Sequence, residues 1–356
     1  MRSRKFGPSQ FQATEDCVTK CSISFPDRQP GVKRVLIVIL NWNSPDQTLA
    51  AIESVLKMDY TDYRVMVIDN GSVDDSIEVL SKIEDSRVKL IASPENLGYT
   101  GGCNYGFAAA LENDADYVWL LNNDAVAEAN TLSSLVRVAE GDLQIGLVSP
   151  MIASLQRPSI FIYAGGFFNA QIPAIETTRD REKASRWATE HRANIILLGT
   201  ALLVKVDLIR KIGMLDANLF AYWEDHDFSM RSNEAGFRNV VDLTTKVYHN
   251  EKFPTDRPQD IDPHFWYYLA RNEIRFWKKH TGPISRMRPL WWAYHHQLNN
   301  LRLLNGGEPS KRAVLSGMWD GWLNRNGPYQ ADRQMPSSVA RVIQMYSRAK
   351  HRTVNQ

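Results

Sequence analysis

The sequence predicts an open α/β domain, Rossmann-like, with a mostly parallel central sheet flanked by helices and a helical extension at the C-terminal end. Three observations predict it. Apolar runs of strand length alternate with helix-periodic segments from residue 34 to residue 122. The connections between them are short, as right-handed crossovers between parallel strands require. From about residue 256 the alternation stops, and long amphipathic patterns rich in Trp, Tyr and basic residues take over.

The elements follow in order. "RVLIVIL" is a continuous apolar run, the pattern of a strand covered on both faces. In "NWNSPDQTLAAIESVLKM" Ser44 suits an N-cap, Pro45 the first helical position, and Gln47 completes a capping box. Leu49, Ile52, Val55 and Leu56 then recur at helical spacing. "YRVMVID" (63–69) is a strand, "DDSIEVLSKI" (74–83) a helix, and "RVKLIA" (87–92) a strand. "GGCNYGFAAALEN" (101–113) is a helix and "DYVWLLN" (116–122) a strand. Downstream, "HFWYYLARNEIRFWKKH", "RPLWWAYHHQLNNLRLL" and "SSVARVIQMYSRAKHR" are amphipathic helices. The implied division is a flexible tail over 1–31, an α/β domain over 32–255 and a basic, aromatic helical extension over 256–356.

Bulk properties narrow the function. Of 356 residues 44% are hydrophobic and 23% charged, as in ordinary folded proteins. A net charge of +2 argues against a partner that is nucleic acid. The charge is uneven, because residues 281–356 hold 11 Lys and Arg against 3 Asp and Glu. The longest apolar run, "VLIVIL", falls far short of the roughly 20 residues of a membrane helix. The basic start "MRSRKFGPSQ" lacks the apolar region of a secretory signal. Three cysteines without framework spacing, Cys17 and Cys21 among them, predict free thiols in a reducing cytoplasm.

In an open α/β sheet ligands bind outside the carboxyl ends of the strands. That directs attention to the loops Asn41–Asn43, Asp69–Asp74, Glu95–Gly102 and Asn122–Asp124. The first, "NWNSPD", has no glycine, so it cannot be the pyrophosphate-binding turn of a nicotinamide enzyme. Trp42 is either a packing residue or a stacking surface for a base. Asp69 either reads a base or ribose or simply opens a turn. Asp124 is a hard oxygen ligand suited to Mg²⁺ or Mn²⁺, or part of a polar turn. Further on, "FAYWEDHDFSMR" sets Glu224, Asp225 and Asp227 among four aromatic rings. A helix N-terminus explains a preference for acids there but not three of them in apolar company.

In their order, "VLIVILNWN", "VMVIDNGSVDDS", "ENLGYTGGCNYGF", "VWLLNNDAV", "GMLDANLFAYWEDHDFSMRSNEAGF" and "VYHN" resemble a family 2 glycosyltransferase of the GT-A fold. The similarity is greatest to its rhamnosyltransferase-like branch, which builds bacterial surface polysaccharides, and it covers about residues 34–250. The resemblance implies inverting transfer from a nucleotide diphosphate sugar, dTDP-rhamnose or a UDP-sugar, to a hydroxyl of a glycan or lipid-linked acceptor.

By the same resemblance Asn41, Trp42 and Asn43 line the nucleotide pocket and Asp69 reads the base. Asn122, Asn123 and Asp124 stand where the family has its Asp-x-Asp signature, with Asn122 replacing the first acid. Metal ligation by Mn²⁺ or Mg²⁺ then falls on Asp124, with His249 as a second ligand. Gly98 and Asn104 belong to a family stretch that approaches the donor, although the glycines there suit a tight loop equally well. Asp225 aligns with the catalytic base, Glu224 with a group supporting it or the acceptor. Arg231 either pairs with Asp227 or faces phosphate, and Gly199 and Thr200 either line the acceptor side or form a packed strand edge.

The basic, aromatic C-terminal region suits peripheral contact with an anionic membrane at the cytoplasmic face. The competing expectation, favoured for Trp291 and Trp292, is an ordinary helical subdomain with its rings packed inward. The rival to an enzyme is a non-catalytic nucleotide-sugar or glycan-binding module. Intact Asp124 and Asp225 oppose that rival, and Asn122 leaves it open.

Overall fold

The computed structural model describes residues 23–25, 27–169, 172, 174–250, 258–282, 287–304, 307–341 and 343. Cys17, Cys21, most of the expected tail and most of "SSVARVIQMYSRAKHR" lie outside these residues. Two compact units make up the chain. The first draws on Met1–Phe168, Ile175–Ala217 and Glu224–Glu251, and the second on Asn169–Ala174, Asn218–Trp223 and Lys252–Gln356. The hexapeptide Asn218–Trp223 therefore goes with the helical unit, although it falls inside the expected 32–255 domain.

The first unit begins with β1 (Val35–Asn41), α1 (Pro45–Leu56), β2 (Tyr63–Asn70), α2 (Ser76–Leu80), β3 (Val88–Ser93), α3 (Gly98–Glu112) and β4 (Tyr117–Asn122). It continues with β5 (Ala125–Ala127), α4 (Thr131–Glu140), β6 (Ile145–Ser154), β7 (Phe161–Tyr163), β8 (Gly165–Asn169), β9 (Ala174–Thr178) and α5 (Arg181–Glu190). After these come β10 (Ala201–Lys205), α6 (Val206–Ile212), α7 (Glu224–Glu234) and β11 (Arg238–His249). The main sheet runs β3-β2-β1-β4-β10-β6-β11-β5, with β7 on β6. Strands β3, β2, β1 and β4 are mutually parallel, and β10 is antiparallel to both its neighbours.

β1 is apolar throughout because both its faces are covered. Leu36 and Val38 join the layer with Phe107 of α3, while Val35, Ile37 and Ile39 join that with Ile52 and Val55 of α1. Alternation of side chains along a strand makes that division. α3 lies very close to β1, since a Cβ on Gly106 would stand 2.3 Å from a methyl of Val38. The glycines of "GGCNYGF" thus serve helix packing at that point.

Two local expectations need correction. Ser44 does not cap α1 through a backbone amide; its hydroxyl donates instead to Gln47 Oε1 at 2.7 Å. The described part of the expected tail is also attached to the domain. Ile23 is buried in the core, and Arg28 pairs with Asp114 and Asp116, each at 3.1 Å.

The second unit is built on α8 (Pro263–His280), α9 (Met287–Leu303) and α10 (Glu308–Trp322). α8 and α10 approach backbone to backbone, and a Cβ on Gly317 would lie 2.3 Å from the carbonyl oxygen of Tyr267. Tyr267 donates to Asp320 Oδ2 at 2.8 Å across the same pair. Trp291 and Trp292 do not pack inward as expected: each is 52% exposed. The reason is their adjacency on α9, whose buried face is carried by Ala293, Gln297, Leu298 and Leu301. No helix among the described residues is long and apolar enough to cross a membrane.

Candidate active site

Strand order reverses at β1, with β2 and β3 to one side and β4 to the other. Such a reversal opens a crevice at the carboxyl ends of the strands. Leu40 of β1 and Asn122 of β4 are register partners there, so the "NWN" and "NND" loops emerge side by side.

A continuous polar network lies beneath these loops. Asn41 Nδ2 donates to Asp69 Oδ1 at 2.8 Å, and Thr48 Oγ1 donates to Asn41 Oδ1 at 2.7 Å. Asn123 Nδ2 reaches Thr48 Oγ1 at 3.1 Å. Ser72 donates its amide to Asp69 Oδ2 at 3.1 Å and accepts from the Asn43 amide at 2.9 Å. Asn41 and Asp69 are both fully buried. They are the frame of the site, where the sequence suggested direct contact with a nucleotide. The surface above is offered by Trp42, 54% exposed, and by Asn43, held at φ 50° with its Oδ1 on the Val73 amide at 2.8 Å. Sequence reasoning missed Thr48. Its signal was a hydroxyl on the buried face of α1, which it shares with Ala51, Ile52, Ser54 and Val55.

Asp124 and His249 lie side by side. His249 Nε2 lies 3.0 Å from Asp124 Oδ1, because β11 ends beside β5, and the Asn250 amide donates to the Asp124 carbonyl at 2.9 Å. No third His, Cys, Asp or Glu completes a metal cluster among the described residues. One carboxylate, one imidazole and amide oxygens fit a Mn²⁺ or Mg²⁺ ion that takes its remaining ligands from substrate phosphates and water. Asn122 Oδ1 supports that fit, being a buried oxygen with no hydrogen-bond partner. An orphaned buried acceptor is costly unless something binds it.

The carboxylates sit at the start of α7. Asp225 Oδ2 accepts the Gly199 amide at 3.0 Å, and Tyr99 donates to the Gly199 carbonyl at 3.1 Å. The next carbonyl, of Thr200, accepts the Asn122 amide at 2.9 Å. Gly199–Thr200 thereby ties Asp225 on one side to the end of β4 on the other.

The two acids titrate in opposite directions. Burial would raise Asp225, but the His226 imidazole 2.6 Å away and the amides of Gly199 and His226 outweigh it and hold its pKa below the usual carboxylate value. Burial, followed by repulsion from Asp225 and Asp227, pushes Glu224 well above that value, and its Oε2 is buried without a partner. The surroundings thus favour the charged form of Asp225 and the protonated form of Glu224.

Three remaining residues take structural positions. Asn104 is buried, with both ends of its amide on the Leu215 backbone at 3.0 Å, so it braces a loop where a donor contact was expected. Arg231 spends its guanidinium on Asp227 at 2.8 Å, the Ile212 carbonyl at 3.0 Å and the Met214 carbonyl at 2.9 Å. The pairing with Asp227 is present, and the other two bonds brace the Ile212–Met214 backbone. Gly98, at φ 72°, donates its amide to Asn96 Oδ1 at 2.8 Å and its carbonyl accepts from Asn70 at 3.1 Å. α7 closes at Gly236, which takes φ 84°: Phe237 N–H bonds the Ser232 carbonyl and Gly236 N–H that of Asn233.

Residues 36–172 match the model of glycosyl transferase family 2. Over those residues the chain is similar to family 2 glycosyltransferases. It is 24% identical over 204 residues to galactofuranosyltransferase GlfT1 of Mycobacterium tuberculosis, covering 57% of this chain and 65% of that one. It is 27% identical over 106 residues to UDP-Glc:alpha-D-GlcNAc-diphosphoundecaprenol beta-1,3-glucosyltransferase WfaP of Escherichia coli, covering 30% and 41%. The match thus spans under two thirds of each of these two relatives. The fold also has solved counterparts. Mannosyltransferase PcManGT of Pyrobaculum calidifontis, solved with GDP-Man and Mn²⁺, superposes with a TM-score of 0.53 at 15% identity, covering 84% of this chain and 79% of that one. That likeness shows the GT-A fold.

Proposed function

We propose that the chain transfers a sugar, with inversion, from a nucleotide diphosphate donor to a hydroxyl of a glycan or lipid-linked acceptor in bacterial surface polysaccharide synthesis. The observation that carries this reading is the Gly199–Thr200 bridge. It fixes an ionised carboxylate, Asp225, to the strand end that carries Asn122 and Asp124.

In the reaction the acceptor oxygen attacks the anomeric carbon as its proton passes to Asp225. The bond from that carbon to the diphosphate breaks, and the nucleoside diphosphate leaves. A single displacement inverts the anomeric centre. Base assistance of this kind is worth about 10²–10⁴-fold. A carboxylate held below its usual pKa suffices, because the proton leaves only as the oxygen bonds to carbon. Glu224, holding its proton, supports Asp225 or donates to the acceptor. Trp42 and Asn43 provide the surface for the base. Asp124 and His249 would hold the cation, which supplies charge neutralisation for the departing diphosphate.

Relatives named for galactofuranosyl and glucosyl transfer support a sugar donor in general. dTDP-rhamnose and UDP-sugars are the donors we propose. The WfaP relative, named for a diphosphoundecaprenol-linked acceptor, supports a lipid-linked one here. Such an acceptor would be met at the inner face of the cytoplasmic membrane. There Met287, Trp291, Trp292 and Leu303 of α9, all exposed, would provide peripheral contact with anionic lipid.

Thermal stabilisation by UDP, dTDP, GDP and CMP, each with and without Mn²⁺, tests the reading. A ligand bound only to the native state at a hundredfold excess over Kd adds about 2.7 kcal/mol. A Mn²⁺-dependent shift with UDP or dTDP is the expected result. No shift with any nucleotide would sink the donor site.

A further inference from the structure

The chain enters α7 through a turn in an unusual conformation. Phe220, Tyr222 and Trp223 have φ of 67°, 66° and 72°. Bulky L-residues avoid this left-handed region because Cβ crowds the following carbonyl. Such strain persists only where surrounding structure over-determines it. Glu224 and Asp225 follow Trp223 directly.

What over-determines the turn is a pair of adjacent side chains on α8, in the same compact unit as the turn. Arg271 is fully buried and donates from Nη2 to the carbonyls of Asn218 at 3.0 Å and Leu219 at 2.8 Å. Asn272, also fully buried, donates from Nδ2 to the carbonyls of Leu219 at 2.8 Å, Ala221 at 2.7 Å and Tyr222 at 2.9 Å. Arg271 Nε donates to Asn272 Oδ1 at 2.9 Å, which fixes the amide so that its N–H groups face the turn. The rings are gripped as well. Phe220 stacks on Tyr268 with centroids 4.9 Å apart, and Trp223 lies 5.0 Å from Phe276.

We propose that Arg271 and Asn272 are positioning residues for the carboxylates. Their bonds to the carbonyls of Asn218, Leu219, Ala221 and Tyr222 hold the turn with its three left-handed residues in place, and this conformation sets the direction in which Glu224 and Asp225 leave the turn. The inference rests on the reading of Asp225 as the base.

The test is Asn272→Ala in the full chain, read three ways. Transfer should fall about 10²-fold in kcat, the order expected when a reacting group is misplaced by about 1 Å. Nucleotide-induced thermal stabilisation should not change, because no donor loop is touched. Amide hydrogen exchange should quicken over residues 218–228 and stay as in the parent over β1 to β4. Adding Tyr222→Gly should return at least about tenfold of the lost kcat, since glycine adopts positive φ without strain.

A folded Asn272→Ala protein with parental kcat and exchange would overturn the proposal. So would a loss shared equally between kcat and nucleotide binding, or no recovery with glycine. Should Asn272→Ala not accumulate as folded protein, Asn272→Ser is read on the same measurements. Absence of transfer by the parent protein with every donor would count against the glycosyltransferase reading, while the exchange arm would still decide whether Asn272 governs the turn.

Discussion

His226 Nδ1 lies 2.6 Å from Asp225 Oδ1, a contact between consecutive residues in the first turn of α7. Together with the His226 and Gly199 amides it favours the charged form of the half-buried Asp225. Because the folded pKa is depressed, this contribution to stability is present above the unfolded value and lost as pH falls through the folded one. The acid limb of kcat should therefore lie below about 3.9, the ordinary aspartate value. His226→Ala removes the first of the lowering influences and should move that limb upward. A pH–rate profile of the two proteins checks it, and coincident acid limbs would contradict the role given to His226.

Glu224 carries the opposite sign. Its folded pKa is raised, so the native state favours the protonated form, and stability is lost as pH rises above the unfolded value of about 4.3. Glu224→Gln mimics the protonated form at every pH. Its melting temperature should exceed the parent's at pH 8 and match it near pH 4. Equal differences at both values would show that Glu224 does not hold its proton.

The donor and acceptor sides should separate on mutation. Asp225→Ala should abolish transfer and leave Mn²⁺-dependent nucleotide stabilisation nearly intact. Asp124→Ala and His249→Ala should each weaken that stabilisation, by at least about tenfold in the Mn²⁺ concentration needed. Equal loss of nucleotide affinity in Asp225→Ala and Asp124→Ala would contradict the division of roles.

Asn104 holds both backbone groups of Leu215. Asn104→Ala leaves a buried N–H and carbonyl without those bonds and should cost about 1–3 kcal/mol for each group left unsatisfied. Denaturant unfolding measures the loss. Nucleotide affinity of the folded variant should equal the parent's, and a selective drop in affinity would restore the donor-contact reading.

Gly106→Ala would put a Cβ 2.3 Å from a Val38 methyl, on a strand buried on both faces. Relief requires α3 to lift from β1, at about 1–3 kcal/mol for an overpacked core. A melting curve indistinguishable from the parent's would show that α3 is not held so close.

Much of this was legible in the sequence because it depends on local periodicity. The apolar run at 35–40, the helix signal of Ser44–Pro45 and the polar strand ends each report on a few neighbouring residues, and the elements from β1 to β4 begin and end within about three residues of their expected limits. The pairing of Asp124 with His249 was legible only through the resemblance, since 125 positions separate them in the chain. Residue type also misled in definite ways. An Asn in a loop can meet a nucleotide or a backbone, and the sequence does not say which. Asn41 went to Asp69 and Thr48, and Asn104 went to Leu215.

By itself the sequence determined the alternation of strand and helix, the crevice at the strand ends and the cluster of acids in "WEDHD". All of these follow from spacing and from what each side chain can bury. Only the tertiary structure decided which acid is ionised, which amide is bound and what holds the left-handed turn before Asp225. Those outcomes depend on partners contributed by distant segments, Gly199 for Asp225 and Asn272 for Tyr222. In a buried site the partner decides the chemistry, because a polar group there has no water to fall back on.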